Sequence, residues 1–114
     1  MSIKENKAIV RRWHEEIFNK KNLEGIDELI DPQYVNHRSG FRGVEGVKER
    51  FKRMISENLD IRVVTEDTIA EGDKVVTRWT WYKGGRAVST GISIHRISEG
   101  KIIEDWFHSS KIEQ

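Results

Sequence analysis

The amino-acid sequence predicts an α+β fold: three amphipathic helices packed on one face of a curved, mostly antiparallel sheet. Three observations lead there. Apolar residues recur at helical spacing through the first half of the chain. From Leu59 onward the period changes to two, in segments rich in β-branched and aromatic residues. Those segments are broken at "EGD", "KGG" and "SEG", each short enough to turn the chain directly into a neighbouring strand. Amphipathic helices placed before such a sheet need one of its faces to cover.

Each element has its own warrant. Ser2 followed by Glu5 is a capping-box pair, and Ile9, Val10, Trp13, Ile17 and Phe18 follow at helical spacing, so the first helix should reach about Asn19. Asn22 as cap and Leu23, Ile26, Leu29 and Ile30 as an apolar stripe predict a second, shorter helix, stopped by Asp31 and Pro32. "QYVNH" reads as a brief strand. Val44, Val47, Phe51, Met54 and Ile55 mark a third helix ending near Asn58. Strands are expected over about 59–70, 74–83, 86–98 and 101–109 as an antiparallel meander.

The 114 residues suit one hydrophobic core, and no repeat, linker or low-complexity tract divides them, so residues 1–114 are read as a single domain. Twenty basic residues stand against nineteen acidic ones, and no Lys/Arg block forms a nucleic-acid patch. No apolar run approaches the roughly 20 residues of a membrane span, and the N-terminus lacks the uninterrupted apolar segment of a secretory signal. A cytoplasmic protein with neither nucleic-acid nor membrane partners is expected. The absence of cysteine excludes disulfides, thiolate nucleophiles and cysteine metal sites. Chemistry must come from His, carboxylate, hydroxyl or Lys.

The segment "GKIIEDWFHSS" poses the functional question. Ile102, Glu104, Trp106 and His108 alternate with Ile103, Asp105, Phe107 and Ser109, so each strand face carries one acid beside a large aromatic. With "NKKNLEGIDELIDPQYVNH" after the first helix, "RWTW" in the middle and "GKIIEDW" near the end, the chain resembles the SnoaL-like polyketide cyclases. These belong to the nuclear transport factor 2-like superfamily, with ketosteroid isomerase, scytalone dehydratase and limonene epoxide hydrolase. The resemblance implies a cone whose helices and concave sheet enclose an apolar pocket, without cofactor and usually in a homodimer. It also implies that Asp105 and Phe107 point inward while Glu104 and Trp106 point outward. Many SnoaL-like cyclases carry their catalytic acid immediately after the tryptophan of this motif. Phe107 stands there instead, and Asp105, two residues earlier on the same face, is expected to serve as the acid beside His37 as base.

The same resemblance suggests roles. His37 matches the base carboxylate of ketosteroid isomerase, and an imidazole is suited to removing a proton next to a carbonyl. His14, on the apolar stripe of the first helix, lies within a residue of that enzyme's pocket tyrosine, where a donor stabilises a developing oxyanion. Arg78 matches the pocket arginine of limonene epoxide hydrolase, although the aspartate two residues further on in that enzyme is Thr80 here. A buried arginine needs a partner, and Asp105 or a bound anion is expected to supply one. Tyr34, Phe51, Thr80, Tyr82, Ser93, His95 and Phe107 are expected to line the pocket. His14, His37, His95 and Asp105 lack the tight ligand spacing of a zinc site, so no metal is expected. Trp79, Trp81 and Trp106 would then lie on the outer sheet face, an apolar patch suited to a homodimer interface. The expected function is acid/base cyclisation, isomerisation or hydration of a small, largely apolar carbonyl compound. The alternative is a non-catalytic domain of the same fold that binds a ligand or dimerises.

Overall fold

The computed structural model describes residues 2–57 and 60–113. Ser2 and Glu5 form the capping box reciprocally, each backbone N–H bonding the other side chain at 3.0 Å, and open α1 (Ile3–Arg12). The helix then continues in a wider π-helical form over Trp13–Asn19. The predicted extent to Asn19 therefore holds, while the last turns are looser than the periodicity implied. Lys21, with φ of 58°, ends the helix, and its ammonium donates to the Ile61 carbonyl at 2.9 Å.

The second helical segment is a 3₁₀ turn (Leu23–Gly25) followed by one α-helical turn, α2 (Ile26–Leu29). The Asn22 side chain makes no capping bond, contrary to expectation. Strand β1 (Ile30–Asn36) begins earlier than "QYVNH" suggested and contains Pro32. It tolerates a proline because it is an edge strand of the sheet. Helix α3 spans Gly43–Glu57. The predicted end of that helix at Asn58 and the predicted start of the next strand at Leu59 lie outside the described residues.

The meander follows as β2 (Ile61–Glu71), β3 (Lys74–Lys83), β4 (Arg86–Ser98) and β5 (Lys101–Lys111). Strand order in the sheet is β1-β5-β4-β3-β2, antiparallel except for the parallel β1–β5 pair. The "KGG" turn between β3 and β4 places both Gly84 and Gly85 at positive φ, a conformation that costs glycine little. Helices and sheet meet in a core where Ile17, Ile26, Ile30, Val47, Val75 and Ile102 are fully buried. Asn19 ties the helical layer to edge strand β2: its side-chain amide donates to the Val63 carbonyl at 3.0 Å and accepts from the Val63 N–H at 2.8 Å.

Three one-residue register shifts in the meander decide which side chains face the helices. Between Trp81↔Ser89 and Tyr82↔Ala87, Val88 is the extra residue of β4. Between Arg96↔Glu104 and Ile97↔Ile102, Ile103 is the extra residue of β5. Between Thr65↔Trp79 and Asp67↔Arg78, Glu66 is the extra residue of β2. The second shift explains why Ile102 and Asp105, of opposite strand parity, are both buried.

Candidate functional site

A cavity of about 110 Å³ lies between the helical layer and the concave face of the sheet. Its walls are largely aromatic. Phe18 meets Phe51 edge-on at 4.8 Å between ring centroids, and Trp13 meets Phe51 at 5.3 Å. Trp79 and Trp81 of β3 and Phe107 of β5 complete the apolar lining.

Asp105 is the buried carboxyl of this cavity, which Arg50 also lines. Its carboxyl, in a residue only 5% exposed, is held by two flanking strands. Tyr34 on β1 donates its hydroxyl to Oδ2 at 2.5 Å, and Nδ1 of His95, directly opposite on β4, lies 2.5 Å from Oδ1. Asn36 donates its amide N–H to the Tyr34 oxygen at 3.3 Å and accepts the backbone N–H groups of Arg38 and Ser39 at 3.0 and 2.9 Å. The same residue thus anchors the loop beside the cavity and orients the tyrosine. Burial above all, with the Asp105 charge second, pushes the Tyr34 hydroxyl up, so it remains a donor across the physiological range.

His14 enters from the π-helical segment. Its Nδ1 sits 2.6 Å from the Thr65 hydroxyl, and its ring lies 6.1 Å from that of His95. Burial first, and the neighbouring His95 second, pull its pKa down to about 3. His14 is therefore neutral at pH 7 and can present a hydrogen-bonding nitrogen without charge.

The structure brings together Asp105, His95, His14, Tyr34, Phe51, Ser93 and Phe107, all expected at the pocket. It separates others from it. His37 is exposed and outside the cavity: its Nε2 pairs with Glu104 at 2.7 Å, and its ring stacks on Trp106 at 4.9 Å. The hydrogen bond from His37, followed by that from Arg96, holds the Glu104 carboxyl below the usual carboxylate range. Arg78 also points away from the cavity, pairing with Asp67 at 2.7 Å, with both side chains more than half exposed. Thr80 donates to Glu66 at 3.0 Å, and neither it nor Tyr82 lines the cavity.

Trp79 and Trp81 correct the expected outer-face patch, because both line the cavity. The β3–β4 shift is the reason. A hairpin running without interruption from Lys83↔Arg86 would set His95 opposite Lys74 and bring Arg78 and Thr80 to its face. Inserting Val88 moves the pairing by one, so Val75, Thr77, Trp79 and Trp81 share the face of Ser93 and His95. Trp79 then donates its indole N–H to the Ser93 hydroxyl at 2.9 Å. Asn36, Trp13 and Phe18 were missed as site residues. Trp13 and Phe18 were visible as helix-stripe aromatics, whereas no local signal marks Asn36.

Among the described residues, no group of three or more His, Asp or Glu side chains is placed to hold a metal ion. No helix among them is long and apolar enough to cross a membrane. A profile of the SnoaL-like domain matches residues 10–105.

The chain belongs to the SnoaL-like domain family.

Its SnoaL-like fold recurs in solved structures. TsrD from Streptomyces laurentii is 21% identical, with a TM-score of 0.82 over 96% of this chain and 91% of that one. A protein from Acidithiobacillus ferrooxidans described as a polyketide cyclase is 23% identical, with a TM-score of 0.80 over 96% and 92%. IdmH from Streptomyces antibioticus, described in the same way, is 23% identical, with a TM-score of 0.76 over 92% and 91%. At these identities the SnoaL-like relatives establish the architecture. No curated protein matches this chain significantly.

Proposed function

We propose that this SnoaL-like protein binds a small, largely apolar carbonyl compound and catalyses cofactor-independent proton transfer on it, as in a cyclisation or isomerisation. The observation that carries the reading is Asp105, a carboxyl buried in an aromatic cavity and fixed by Tyr34 and His95. Two bonds occupy two of the roughly four acceptor positions of a carboxylate, which leaves lone pairs for a substrate proton. Asp105 takes the proton from the carbon next to the carbonyl and returns it at the product position. The neutral His14 is the donor for the developing enolate oxygen. His37 and Arg78 have no part in this scheme, because neither lines the cavity.

The test is solvent deuterium uptake into the acetyl group of 4′-isopropylacetophenone. The wild-type protein should accelerate exchange, and Asp105→Asn should reduce the acceleration by about 10²-fold or more, the usual scale of general acid–base catalysis. His37→Ala should exchange at the wild-type rate. Binding without exchange in the wild type would instead make this a non-catalytic ligand-binding domain.

A further inference from the structure

Trp81 lines the cavity, and its indole N–H is buried with no hydrogen-bond partner among the described residues. Its neighbour Trp79, on the same face of β3, shows the usual arrangement, with its own indole N–H bonded to Ser93. Buried donors are normally satisfied, because an unpaired one loses its bond to water without compensation. Tryptophan offers a donor only, and the ring fixes the direction of its N–H, so it cannot re-aim as a hydroxyl does. The ring is held in place by Phe18, edge-on at 6.5 Å. On the sheet, Trp81 lies opposite Ser89, whereas Val75, six residues earlier on β3, lies opposite His95. Trp81 and the Asp105–His95 pair therefore stand six residues apart along the sheet, and all three residues line the same cavity.

We propose that Trp81 Nε1–H is a ligand-orienting donor, which binds an oxygen acceptor of the ligand remote from the carbonyl that faces Asp105. The substrate class is then a dioxygenated apolar molecule: one oxygen beside the carbon that loses its proton, and a second, acceptor-only oxygen at the Trp81 end. The placement of the reacting carbonyl rests on the function proposed above; the Trp81 contact itself does not.

Two near-isosteric probes separate the contributions. Both 1,4-diacetylbenzene and 4′-isopropylacetophenone carry the reacting acetyl group, but only the first has an acceptor at the far end. Dissociation constants for both are measured with the wild type and with Trp81→Phe, which keeps a ring and removes the N–H. The preference for 1,4-diacetylbenzene should fall about tenfold in the variant, the scale of one hydrogen bond. In the wild type, the Trp81 indole proton resonance should also move with 1,4-diacetylbenzene and stay in place with 4′-isopropylacetophenone, a readout that needs no folded variant. An unchanged preference together with an unmoved resonance overturns the assignment. Deuterium exchange reports separately on Asp105, so loss of exchange with an intact Trp81 preference removes the catalytic reading and leaves this one standing.

Discussion

At the scale of single residues, the site is a buried carboxyl whose partners are all polar groups inherited from neighbouring strands. Tyr34→Phe deletes the hydroxyl that donates to Asp105 and accepts from Asn36, leaving both short of a partner. We expect a loss of about 1–3 kcal/mol in denaturant unfolding, the cost of unsatisfied buried groups. A change below the error of the measurement would show that water replaces the hydroxyl. His14 carries a pH dependence of definite sign. In the unfolded chain its imidazole gains a proton as pH falls through about 6.5, whereas in the folded protein burial delays this to about 3. Between those values the unfolded state binds more protons, so stability falls with decreasing pH by up to about 1.4 kcal/mol per unit, and above that window His14 contributes no slope. Urea midpoints at pH 7, 6, 5 and 4 should therefore decline more steeply in the wild type than in His14→Gln. Parallel declines would mean that the folded imidazole is already charged.

At the scale of elements, hairpin register decides the chemistry. An uninterrupted β4–β5 hairpin from Ser98↔Lys101 would set His95 opposite Glu104; the extra residue Ile103 sets it opposite Asp105 instead. Glu104 is left outside to pair with His37 and Arg96. Strand β4 must also pass very close to Trp79. A Cβ on Gly91 would overlap the Trp79 ring and sit 2.7 Å from the His108 carbonyl oxygen. Gly91→Ala should therefore destabilise the protein by about 1–3 kcal/mol, as overpacking commonly does, and thermal melting should show it. It should also disturb the Trp79–Ser93 hydrogen bond, because the indole has to move. A variant as stable as the wild type would show that the indole has room to shift.

At the scale of the whole molecule, the helical layer packs on the cavity face of the sheet, and the opposite face carries exposed apolar residues. The homodimer expected from the resemblance was to rest there on three tryptophans. Two of them point into the cavity, and Trp106 remains outside, stacked on His37. Ile69 and Ile92 are exposed at 67% and 50%. We propose that any dimer through this face centres on Ile92 and Trp106, which lie on the neighbouring strands β4 and β5. Light scattering at micromolar concentration should then give twice 13.4 kDa, falling to the single-chain mass in Ile92→Glu. A single-chain mass for the wild type would end the proposal.

The sequence by itself determined the fold class, the order of elements and the approximate strand limits. Those follow from local periodicity, caps and turn glycines, each visible within a few residues, as the Ser2–Glu5 box and the "KGG" turn illustrate. It also determined that Asp105 and Phe107 share a face, because strand parity is local. Only the tertiary structure decided which acid meets His95, and that Trp79 and Trp81 rather than Arg78 and Thr80 face the cavity. The physical reason is that a single inserted residue such as Val88 or Ile103 exchanges the two faces of everything beyond it. Its position is set by how strands fit each other and the helices, and no short stretch of sequence carries that information. His37 illustrates the same limit: it lies one residue beyond the buried Asn36 at the end of β1, and that one step places it outside, against Trp106.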